Sequence, residues 1–127
     1  MRVNPRWHVT AVDSQTIARL RREFSEELAS HGKTAAQIED GTIILGELLA
    51  NACEHGALPV QVELHPKGVR WRLIVSDAGK GFTPRRQTAA ALSTRGRGLR
   101  IIERLGGTIS IPREGVSAID VLLPFGD

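Results

Sequence analysis

A single cysteine, Cys53, is all the thiol in this 127-residue chain. No intrachain disulfide can form, and a reducing cytoplasm is the expected setting. Long apolar runs are missing too. None approaches the roughly 20 residues that a helix needs to cross a bilayer, and the opening stretch MRVNPRWHV lacks the apolar region of a signal peptide. No membrane role is expected. The net charge is +3, yet no basic stripe exists. Arg21–Arg22, Arg85–Arg86 and Arg95–Arg97–Arg100 are short clusters without aromatics between them, which argues against direct nucleic-acid binding. Repeats, low-complexity tracts and interdomain linkers are also lacking. Residues 1–127 therefore read as one domain, long enough for a substantial core.

What is present centres on Thr34–Gly56, TAAQIEDGTIILGELLANACEHG. Thr34 with Gln37 three residues on is a capping-box start, and Gly56 with Pro59 beyond marks the stop. Ile38, Leu45, Leu49 and Ala52 recur at helical spacing as an apolar stripe. Glu47, Asn51 and Glu54 fall opposite, within roughly 60° of one another at about 100° per residue, with Ile44 and His55 flanking them. A carboxylate and a carboxamide one turn apart can share one metal ion or one water. Alone, the pair also fits a solvated helix face. Cys53, inside the helix, reads as a small buried filler.

Along the rest of the chain, Trp7–Val12 alternates as an edge strand. Asp13 or Ser14 caps a helix to about Ser30, with Ile17, Leu20, Phe24 and Leu28 inward, and His31–Gly32 ends it. Val60–Leu64 and Val69–Ser76 read as strands joined at Pro66–Lys67–Gly68. Thr83–Arg95 has no clean period. Gly98–Leu105 has helical spacing and stops at Gly106–Gly107. Thr108–Pro112 and Val116–Leu123 form a closing hairpin around Arg113–Glu114–Gly115. The order β-α-α-β-β-α-β-β predicts an α+β, two-layer α/β sandwich with helices on one face of the sheet.

Two loops carry chemistry. Asp77-Ala-Gly-Lys-Gly-Phe82 follows the apolar strand RLIVS. Gly79 and Gly81 permit positive φ and close approach of backbone to a ligand. Asp77 at a strand end can accept a hydrogen bond from an exocyclic amine such as adenine's, although a tight turn capped by an aspartate gives the same pattern. Arg95-Gly96-Arg97-Gly98-Leu99 opens a helix, whose free N–H groups and positive dipole end suit phosphate, with guanidinium forks beside them. Neither loop is a Walker A sequence or a dinucleotide fingerprint.

Together the three stretches resemble the ATP-binding domain shared by gyrase, Hsp90, sensor histidine kinases and MutL, and most closely its anti-sigma factor serine/threonine kinase branch. The first signature resembles Glu47, Asn51, His55 and Gly56, the second Asp77, Gly79, Gly81 and Phe82, and the third Gly96 to Leu99. The similarity runs from about Asp13 to Pro124. No helix pair bearing a phosphorylatable histidine is seen, which argues against a complete sensor histidine kinase. The resemblance implies a Bergerat-type fold with a mixed, mostly antiparallel sheet. It also implies ATP and Mg²⁺ as cofactors, with Asn51 as metal ligand and Glu47 as catalytic base. The cofactor-binding residues carried over are Asn51, Asp77, Gly79, Gly81, Phe82, Gly96, Arg97, Gly98, Leu99 and Ser117. Ser117 stands where a Thr often helps hold adenine, and Thr83–Arg95 would be a lid. Glu54 lies outside the signature, and His55 is expected to serve the helix end. The implied partners are a sigma factor and an anti-anti-sigma protein of STAS type, with a homodimer common in the family. A nucleotide-dependent binding module without phosphotransfer is the alternative.

Overall fold

Cap chemistry sets the helix ends in the computed structural model, which describes residues 4–79, 97–111 and 116–127. Asp13 caps α1 (Ser14–Ser30): its carboxylate accepts the Thr16 N–H and the Thr16 hydroxyl, each at 2.8 Å. Gly32, at φ +77°, turns the chain out of α1. Thr34 and Gln37 form the expected capping box of α2 (Ala35–His55). The Gln37 N–H donates to Thr34 Oγ1 at 3.1 Å and the Thr34 N–H donates to Gln37 Oε1 at 2.9 Å. A shorter α3 (Arg97–Arg104) ends at Gly106, φ +93°.

The strands are β1 (Arg6–Val9), β2 (Val60–His65), β3 (Arg72–Asp77), β4 (Thr108–Ser110) and β5 (Ala118–Leu122). Among the described residues they form one sheet in the order β1-β2-β3-β5-β4. Every pairing is antiparallel, so nothing parallel from the expected mixed sheet is found there. The register puts Trp7 opposite Val62, Val62 opposite Val75 and Val75 opposite Ile119. One face thus collects the apolar side chains of every second position, and α1, α2 and α3 cover it with a shared core. The other face is polar. Arg6 meets Glu63 at 3.1 Å, and Arg72 pairs with the buried Asp120, which pushes the Arg72 guanidinium pKa up through the hydrogen bond to that carboxylate. The α+β two-layer sandwich is as expected. No helix among the described residues is long and apolar enough to cross a membrane.

Three expectations are corrected. Ile44 is fully buried with Leu48, Leu45 and Leu49. It does not flank the polar side, because α2 packs on α1, α3 and the sheet together and so buries a wider arc than one stripe. Val69 is not in a strand; it is 85% exposed. The backbone at Gly68 and Trp71 is claimed instead by the C-terminal residues: the Asp127 N–H donates to Gly68 O and the Trp71 N–H to Phe125 O. The first strand is also shorter than expected, ending at Val9.

Candidate functional site

Asp77 is the last residue of β3, and three segments converge on its carboxylate. The Gly79 N–H donates to Oδ1 at 2.7 Å, the Ala57 N–H to Oδ1 at 3.2 Å, and the Ser117 hydroxyl to Oδ2 at 2.8 Å. Backbone bonds lock the same segments together: the Asp77 N–H to Ser117 O and the Ala78 N–H to Ala57 O, both 2.8 Å. Three donors on one carboxylate fix its orientation. An ionised carboxylate has about four lone-pair directions, and the described residues fill three, which leaves one on Oδ2 that a ligand's donor could take. Such a group accepts an amine and repels a carbonyl oxygen.

Gly79 earns its place through space and not through conformation. Its φ is not positive, contrary to the first half of the expectation, but a Cβ there would stand 2.7 Å from Asp77 Oδ1. Ser117 is 7% exposed, and the role its hydroxyl takes is to hold Asp77.

One turn apart on α2, Glu47 and Asn51 share a face as expected, both half-buried. The Glu47 carboxylate lies against the first turn of α3: a Cβ on Gly98 would meet Glu47 Oε2 at 2.7 Å. A negative group is favoured at that helix end. Leu99 is 3% exposed and its side chain belongs to the core. Arg97 opens α3. Its side chain, together with Gly81, Phe82, Gly96 and the expected lid 83–95, lies outside the described residues.

Glu54 and His55 are exposed, with His55 Nε2 3.8 Å from Glu54 Oε2. Cys53 is half-buried; burial first, then the charges of Asp77 and Glu54, push its thiol pKa up, which favours the protonated thiol. Sequence reasoning missed Gly56 and Ala57 as parts of the Asp77 shell. Gly56 was visible as a helix stop and as the last residue of the first signature, but neither reading tied it to Asp77.

A sequence model of the histidine kinase-like ATPase domain family matches residues 10–119, a span that contains each of these site residues. Over 63 residues the chain is 36% identical to the DNA mismatch repair protein MutL of Exiguobacterium sibiricum, covering 50% of this chain and 10% of that protein. The chain thus spans about one tenth of the length of that relative.

Proposed function

Because this chain belongs to the histidine kinase-like ATPase domain family, we propose that it binds ATP with Mg²⁺ and acts as an anti-sigma factor with serine/threonine kinase activity. The observation that carries the nucleotide reading is the Asp77 carboxylate, held by Ala57, Gly79 and Ser117 with one acceptor direction that the described residues leave for the adenine amine. The first turn of α3 would face the phosphates, its N–H groups and dipole end favouring anions.

Asn51 offers a hard oxygen that would suit Mg²⁺, with the Glu47 carboxylate one turn away on the same face. Among the described residues no three His, Cys, Asp or Glu side chains gather where they could hold a metal. That fits an ion which takes one or two protein oxygens and completes its shell with water and phosphate. When bound, the ion would neutralise phosphate charge.

In the proposed reaction a partner's Ser or Thr hydroxyl oxygen attacks the γ-phosphorus of ATP. The hydroxyl proton passes to the Glu47 carboxylate, the bond from the γ-phosphorus to the β–γ bridging oxygen breaks, and ADP leaves. The substrate would be an anti-anti-sigma protein of STAS type, and the sequestered partner a sigma factor, bound by a homodimer.

Incubation with labelled ATP, Mg²⁺ and the products of neighbouring genes tests this. Label should appear on a small partner, fall by about 10²–10⁴ in Glu47→Gln while nucleotide affinity persists, and vanish together with tight nucleotide binding in Asn51→Ala. ATP-dependent complex formation without label in the wild type would replace the kinase with a nucleotide-dependent binding module. Full-rate phosphorylation by Glu47→Gln would remove Glu47 as the base.

A further inference from the structure

We propose that Gly56 is a positioning residue for base recognition: its bare Cα is the floor on which the Asp77 carboxylate sits, and through it α2 fixes the group that selects adenine over guanine. This rests on the reading of Asp77 as the group that reads the base.

Gly56 follows the last residue of α2, where a glycine is ordinarily explained by left-handed backbone. That explanation fails here. At φ −116° and ψ −152° the residue is extended, a conformation open to any side chain. Space is what demands glycine. A Cβ on Gly56 would stand 2.3 Å from both Asp77 Cγ and Oδ2 and 2.4 Å from Oδ1, against the carboxylate itself. A second bare Cα lies close by, since a Cβ on Gly79 would come 3.4 Å from Gly56 Cα. The next residue ties the same knot: the Ala57 N–H donates to Asp77 Oδ1, and Ala57 O accepts the Ala78 N–H. The helix bearing Glu47 and Asn51 therefore ends directly on Asp77, and the position of the carboxylate is set by the helix end as much as by its own strand.

A carboxylate fixed in this way accepts from the 6-amine of adenine and repels the 6-carbonyl of guanine. A methyl group at position 56 must drive it off that position. In Gly56→Ala, ATP affinity should fall at least tenfold and the preference for ATP over GTP should fall at least tenfold. The affinity for purine riboside triphosphate, the same nucleotide without its 6-amine, should move less than twofold. A merely structural role would lower all three together, and that outcome overturns the proposal, as does unchanged ATP affinity. Should Gly56→Ala not fold, the double variant Gly56→Ala/Asp77→Ala removes the group that the methyl would strike. It should match Asp77→Ala in melting temperature and in ATP affinity; a further loss in either overturns the proposal. If Asp77→Asn leaves ATP binding intact, the reading of the site itself fails. If Asp77→Asn weakens ATP and Gly56→Ala does not, only the role of Gly56 fails.

Discussion

Replacing Asp77 by Asn tests the site with the smallest change of shape. The carboxamide oxygen can stay at the Oδ1 position and keep the Ala57 and Gly79 N–H groups, at 3.2 and 2.7 Å. The amide nitrogen then takes the Oδ2 position. Ser117, whose hydroxyl donates to Oδ2 at 2.8 Å, can rotate to accept, because a hydroxyl is donor and acceptor at once. The cradle survives, and the melting temperature should barely move. What changes is the free direction on Oδ2, which now points an N–H at the incoming amine, so donor faces donor. Losing that bond and leaving the amine unpaired costs roughly 1–3 kcal/mol, about a 5- to 150-fold loss of ATP affinity. Isothermal calorimetry with ATP and Mg²⁺ on both proteins measures it. An ATP affinity within twofold of the wild type, in a variant with an unchanged melting curve, would refute the assignment of Asp77.

Two further outcomes concern the frame. Thr34→Ala removes the hydroxyl that accepts the Gln37 N–H and should cost about 0.5–2 kcal/mol in chemical denaturation, with an unchanged denaturant slope; no loss would mean that the α2 start is held by packing alone. Asp127 is held below its ordinary value of 3.8, first by the Gly68 N–H, then by the Trp71 indole N–H, with the Lys33 and His31 charges adding. Its folded-state pKa is lowered, so its contribution to stability is present above 3.8 and is lost as pH falls through the folded value. The gap in melting temperature between wild type and Asp127→Asn should therefore close below pH 3.8, and a gap that stays constant through that range would exclude the mechanism.

The parts of this molecule that a reader of the sequence can find are those decided by neighbours within one helical turn. Thr34 and Gln37 are three residues apart, and their capping box forms wherever a helix follows. Gly32 and Gly106 end helices because left-handed backbone is a local need. Strand alternation likewise tells which side of β2 is buried. Contacts between distant segments leave no such mark. Val69 alternates with Trp71 and Leu73 and reads as strand, yet the C-terminal residues take the backbone around it. Ile44 is buried because helices pack on both sides of α2, which no period within α2 encodes. The site divides along the same line. Glu47 and Asn51 are legible as a pair because one helical turn joins them. The cradle of Asp77 is not, because its donors come from the end of α2 and from Ser117, 40 residues away. Gly56 is the instructive case. A local rationale, the helix stop, was at hand, and its place in the first signature did not say what the glycine touches. The carboxylate 2.3 Å from its absent Cβ supplies the reason that the backbone angles withhold, and it ties the helix that carries Glu47 and Asn51 to the residue that reads the base.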